Sequence, residues 1–141
     1  MSAINTGKVV TGGLIAGLVM NVLDMINGMF IMAEDFRANA IRLGLDPAMA
    51  ESAVGITTWV VIDFIFGVLA VWTYAAMRPR FGAGPKTAVN AAIALWLAVS
   101  LVMFGLTTGG LFPLALFVKI TLISLVFTVV GTVAGAKFYS E

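Results

Sequence analysis

A chain of 141 residues that is 61% hydrophobic and only 11% charged is too apolar for a water-soluble domain, because soluble proteins run nearer half apolar and a quarter charged. Its formal net charge of +1 offers no basic field to nucleic acid and no acidic tail to a cationic partner. With no Cys and no His, it lacks disulfides, thiolate metal sites, cysteine catalysis and the commonest general base and haem ligand.

The hydrophobic excess belongs to lipid-facing surface, so the sequence reads as an integral membrane protein of one domain. A first apolar run, about 9–33, exceeds the roughly 20 residues that span hydrocarbon. Lys8 before it mimics a signal peptide, but the run is too long, Asp24 interrupts it and no small-residue cleavage site follows. It reads as a retained helix. The linker 34–53 is the most polar stretch. Phe36, Ala40 and Leu43 recur there at i, i+4 and i+7, the pattern of a short amphipathic helix lying at the interface with those three residues toward lipid or bundle. Gly44 stops that helix, and Asp46 with Pro47 starts another, as N-cap and first helical residue.

A second span, about 54–77, is stopped by Pro79. "RPRFGAGPK" is a turn, and a third span covers about 87–108. "TGG" breaks the chain, and Pro113 opens a fourth span over about 113–138. Two of the three joints are short, which favours antiparallel neighbours. The expected fold class is an all-α, up-down bundle of four transmembrane helices with an interfacial helix between spans 1 and 2. The joint holding Arg78, Arg80 and Lys86 has no acidic residue, whereas the first linker carries Glu34, Asp35, Asp46 and Glu51 against Arg37 and Arg42. The positive-inside bias then places the basic loop and both termini in the cytoplasm.

Within "MNVLDMINGMF", residues 20–30, a carboxylate stands where a membrane helix normally carries hydrocarbon. Three ionisable residues fall inside the spans: Asp24, Asp63 and Lys119. Asp24 lies nine residues before the outer end of its span and Asp63 nine after the outer start of its own, about 13 Å below the boundary at 1.5 Å per residue. Lys119, six residues into its span, comes to about 9 Å on the same scale, and its long stem reaches deeper. The shared depth points to one buried polar cluster of Asp24, Asp63 and Lys119, with Asn21, Asn27, Thr58 and Ser124 to supply hydrogen bonds. Such a cluster either fixes helix register, as interhelical polar contacts do, or carries a proton, ion or ligand.

The remaining motifs read as packing. Gly13 and Gly17, Gly105 and Gly109, and Gly131 and Gly135 form G-x-x-x-G pairs that let helices approach closely. Met25, Met29 and Met32 share a helical face; thioethers can hold Cu(I), but without Cys or His beside them a methionine packing stripe is the expectation. Trp59, Trp72 and Tyr74 sit toward span ends as interface anchors, and Trp96 lies deeper as a packing residue. No catalytic constellation, metal signature or cofactor motif is present, although Asp24 and Asp63 could in principle act as paired carboxylates.

The loop "YAAMRPRFGAGPKTA", residues 74–88, resembles a signature of small bacterial four-helix membrane proteins without an assigned activity, and "GLIAGLVMNVLDMINGMF", residues 13–30, is similar to their first helix. The resemblance implies a bacterial inner-membrane location. The chain departs from small multidrug transporters, having no membrane-embedded glutamate in its first span, and from fluoride channels, having no glycine–arginine motif. The functional expectation is a non-enzymatic scaffold or accessory subunit in the lipid bilayer, as a homo-oligomer or within a larger membrane complex. The alternative is a small transporter or channel using Asp24, Asp63 and Lys119.

Overall fold

The computed structural model describes residues 4–140. Helix α1 (Thr6–Ile26) passes into a single π-helical turn (Asn27–Ile31), followed by α2 (Ala33–Arg42), α3 (Ala48–Glu51), α4 (Ala53–Phe81), α5 (Pro85–Thr108) and α6 (Leu114–Ala136). Four segments, Thr6–Ile31, Ala53–Phe81, Pro85–Thr108 and Leu114–Ala136, are long and apolar enough to cross a membrane. The protein is an all-α, multi-pass membrane bundle, as the hydropathy pattern requires.

Four of the six helix starts have a local cause. The Asn5 side chain accepts from Lys8 N at 3.1 Å and caps α1. Ser52 accepts from Gly55 N at 3.1 Å and caps α4, separating it from the one-turn α3. Asp46 accepts from Ala48 N at 2.9 Å. Pro85 occupies the first turn of α5, where its missing N–H costs nothing.

Two boundaries differ from expectation. Helix α4 does not stop at Met77 but runs through Pro79 to Phe81. A proline so near a C-terminus removes one backbone bond only, and the exposed last turn is continued by Gly82 N donating to Arg78 O at 2.8 Å. Thr87 Oγ1 then donates to Gly82 O at 2.7 Å and Phe81 O at 3.3 Å, so the first turn of α5 satisfies carbonyls at the end of α4. The first span is not one straight helix to Ala33 either. Met32 N donates to Asn27 O at 2.8 Å, an i→i+5 bond, and Met32 itself leaves helical geometry.

Helix α1 lies between α4 and α6, and α5 packs on α6. The glycine pairs explain the closeness. A methyl on Gly17 would stand 2.7 Å from Phe64 Cα, and one on Gly12 2.6 Å from the Gly135 oxygen. Gly67 sits against the Gly13 and Gly17 backbone, and Gly131 against Met20 and Ala16. The Gly13/Gly17 and Gly131/Gly135 pairs thus pack inside the bundle, whereas Gly105 has no described atom within 4 Å of a would-be methyl.

The core gathers toward the basic loop: Val9, Ala16, Val71, Tyr74, Ala75, Ala88, Ala91, Ala136 and Tyr139. The buried residues of α5 are Thr87, Ala88, Ala91 and Ala92, all in its first two turns. Its half away from the basic loop instead shows Leu97, Val99, Leu101, Val102 and Phe104 on the surface. Trp96 ties it to α6 by donating from Nε1 to Thr121 O at 2.9 Å, the packing role expected of it.

Candidate functional site

The halves of α1 and α4 away from the basic loop bring two carboxyl groups together. Asp24 and Asp63 are within hydrogen-bonding reach of one another. Asp63 is buried, at 8% exposure, because it faces α1 where the Gly17 notch brings the Asp63 and Phe64 backbone close. Asp24 is exposed at the bundle surface. One turn toward the basic loop, Asn21 Nδ2 donates to Gly17 O at 3.0 Å and across to Val60 O at 3.3 Å. One turn farther from the basic loop, Asn27 opens the π-turn with a buried Oδ1 that accepts no bond from the described residues.

Lys119 does not join this pair. Its Nζ bonds both oxygens of Asp35, at 3.0 and 2.8 Å. The depth estimate treated the first span as a straight rod, whereas the chain turns at Met32 and α2 folds back over the α5–α6 end. A half-exposed lysine near a span end then meets the carboxylate of α2 at the interface, and avoids the larger desolvation cost of the interior. Thr58 and Ser124 do not supply bonds to the carboxyls either. Thr58 is exposed and donates to Val54 O of its own helix at 2.7 Å, and Ser124 donates to Thr121 O at 3.1 Å. Backbone carbonyls within helical reach capture both hydroxyls.

Helix α2 also differs in which face it uses. Asp35, Asn39 and Arg42, at i, i+4 and i+7, form the docking stripe. Arg42 Nη2 donates to Gly110 O at 3.0 Å and Leu111 O at 2.8 Å, and Asn39 Nδ2 donates to Leu111 O at 3.3 Å. Asn39 Oδ1 in turn receives Arg42 Nε at 3.1 Å and Nη2 at 2.8 Å. The carbonyls they read are presented by a turn whose Gly110 holds φ +85°, a conformation glycine adopts without a steric penalty. Phe36 and Leu43 stay exposed and Ala40 half-buried. The amphipathic period was readable; the polar stripe beside it makes the contacts.

The methionine stripe is split. Met25 and Met29 are exposed while Met32 is buried at 1% exposure, because the π-turn adds a residue and rotates the face. Among the described residues no group of three or more Asp or Glu side chains is arranged to hold a metal. Two shallow surface grooves are lined by Leu14, Phe64, Ile65 and Val68, and by Ala53, Val54, Thr57, Thr58, Val61 and Ile62. Neither is lined by Asp24 or Asp63.

At the opposite end the basic residues divide into two kinds. Arg78 is folded inward, with its guanidinium 5.9 Å from the Tyr74 ring and 5.1 Å from the Tyr139 ring, a cation–π arrangement. The two rings meet edge-to-face at 6.1 Å. Tyr74, expected as an interface anchor, is therefore a core residue at 4% exposure, its hydroxyl accepting from Gly84 N at 3.2 Å. Tyr139 accepts from Asn5 N at 3.3 Å. Arg80 and Lys86 remain exposed. Set beside known families, curated proteins and solved structures, the chain matches none of them.

Proposed function

We propose that this protein is a non-enzymatic subunit of a membrane assembly, associating with further copies of itself or seated beside a larger membrane partner. The observation that carries the reading is the exposure of Asp24 on the surface of an apolar span. A charged carboxylate facing lipid costs about 2.5–3.5 kcal/mol on insertion scales. A neighbouring helix laid over α1 and α4 would remove that cost. The uncovered outer half of α5 and the open Gly105 face support the same reading, since small residues invite close helix approach.

In this reading the assembly sits in a bacterial cytoplasmic membrane, with the Arg78–Lys86 loop and both termini in the cytoplasm. The basic loop supports that orientation, and the likeness of residues 74–88 and 13–30 to small bacterial four-helix proteins supports that location. A second reading, passage of a proton or small cation, draws on one observation: the Asp24–Asp63 contact.

Subunit counting by single-molecule photobleaching, in membrane patches excised with a detergent-free polymer, tests the first reading. Several copies per particle, or a heavier particle containing a partner, is the expected result; isolated single chains would overturn it. The natural chain has no cysteine, so a Met25→Cys variant reports on the face beside Asp24 by oxidative cross-linking. Proton or cation flux in liposomes that is abolished by Asp63→Asn would favour the second reading. Labelling of an Ala83→Cys thiol from outside intact cells would reverse the orientation.

A further inference from the structure

Four cations at one end of the bundle are absorbed by nothing described above. Lys8 begins α1, Arg80 ends α4, Lys86 begins α5 and Lys137 follows α6. All four are exposed and make no ion pair among the described residues. Six of the seven acidic residues, Asp24, Glu34, Asp35, Asp46, Glu51 and Asp63, lie in the outer half or the first linker; the seventh, Glu141, lies outside the described residues.

The positions of the four are preset by the rigid knot beneath them. Tyr139 binds the backbone at Asn5, Tyr74 binds the backbone at Gly84, the two rings touch, and Arg78 stacks on both. This knot joins the start of α1, the α4–α5 loop and the residues after α6. It fixes the spacing of the cations without using any of them.

Two of the cations have an exposed aromatic neighbour in sequence: Phe81, 57% exposed, follows Arg80, and Phe138, 52% exposed, follows Lys137. A soluble anionic partner needs positive charge but has no use for phenyl groups at the same spot. An amphiphile whose phosphate and acyl chains are a few ångströms apart matches both. Because these residues end membrane-spanning helices, they stand at headgroup depth.

We propose that this end is a binding surface for anionic phospholipids, with Lys8, Arg80, Lys86 and Lys137 taking the phosphates and Phe81 and Phe138 meeting the acyl chains. The inference does not depend on whether the protein is a subunit or a channel.

Tryptophan quenching by acyl-brominated lipid tests it. Trp72, 48% exposed on α4, lies eight residues before Arg80, about 12 Å deeper at 1.5 Å per residue, within reach of the bromines. In a Trp59→Phe/Trp96→Phe background, brominated phosphatidylglycerol should out-compete phosphatidylcholine for the shell around Trp72 by about five-fold for each engaged cation at low salt. The preference should fall toward unity in high salt and in the K8Q/R80Q/K86Q/K137Q variant, whose unchanged thermal unfolding would certify its fold. Trp59, read alone in a Trp72→Phe/Trp96→Phe background, should show no preference. Equal quenching by the two lipids around Trp72 would overturn the proposal and leave the surface to a water-soluble partner. A preference that survives the four substitutions, or appears equally at Trp59, would overturn it as well.

Discussion

Lys119 reaches across 84 residues of sequence to hold Asp35, with Nζ 2.8 Å from Oδ2 and side-chain exposures of 55% and 35%. The bond anchors the interfacial helix α2 to the start of α6 and leaves the Asp24–Asp63 pair without a cation among the described residues. A half-exposed pair of this kind contributes about 0.2–1 kcal/mol and is screened by salt. Lys119→Met and Asp35→Asn should each lower stability by no more than that, with the effect fading in high salt. Thermal unfolding in detergent measures it; a loss of several kcal/mol from Lys119→Met would show that the lysine has a second, buried partner.

Asp24→Asn and Asp63→Asn should be strongly non-additive, because groups in contact couple by about 0.5–3 kcal/mol. Lys119→Met should add independently to either. A double-mutant cycle in the same detergent separates the two cases. Additivity of the two aspartate substitutions would mean that the carboxyls do not meet.

Gly67→Val should drive α1 and α4 apart. Gly67 faces the Gly13 and Gly17 backbone, so the added bulk meets main chain that cannot yield, and overpacking of this kind costs about 1–3 kcal/mol or more. Gly105→Ala is the contrast, since no described atom lies within 4 Å of the new methyl. Helix propensity alone then predicts a gain of about 1 kcal/mol for the single bundle. If the same substitution weakens association in subunit counting, the open face is the one that partners use.

Arg42→Ala should release α2. The guanidinium spans Gly110 O, Leu111 O and Asn39 Oδ1 with a planar fork, which a lysine cannot reproduce. Loss of about 1–2 kcal/mol of local stability corresponds to roughly ten-fold faster amide exchange over residues 33–42, by the usual conversion of 1.4 kcal/mol per decade. Arg42→Lys should recover little of it. Unchanged exchange in the alanine variant would show that α2 is held by other contacts.

Span number and the packing of two of the three glycine pairs inside the bundle were legible because each rests on local composition. Twenty apolar residues can only be a helix in lipid, and glycines four apart leave a groove wherever they fall. The Asp24–Asp63 contact was legible through depth, since antiparallel helices put equal depths side by side. Lys119 was misplaced for the same reason that it was noticed. Depth along a straight helix says nothing about a chain that turns at a π-bulge, and no residue in Asn27–Ile31 announces that turn. The inward fold of Arg78 was equally hidden. Its partners Tyr74 and Tyr139 are 65 residues apart, and only the completed bundle makes them neighbours. The polar stripe Asp35, Asn39 and Arg42 was present at helical spacing beside the apolar one, and asking which stripe had a partner would have found it.

The contact between Asn5 and Tyr139, separated by 134 positions, has a consequence for how the protein is made. Helix α1 leaves the ribosome before α6, yet its Gly12 faces Gly135 and its Met20 faces Gly131 on that later helix. Until α6 inserts, that side of α1 is an open notch in the lipid, and the tyrosine knot has only one of its rings. Closure of the bundle therefore waits for α6 and the Tyr139 that follows it. A nascent product interrupted after α5 would present a persistent unpaired groove, the kind of surface by which membrane quality control can distinguish an open bundle from a closed one.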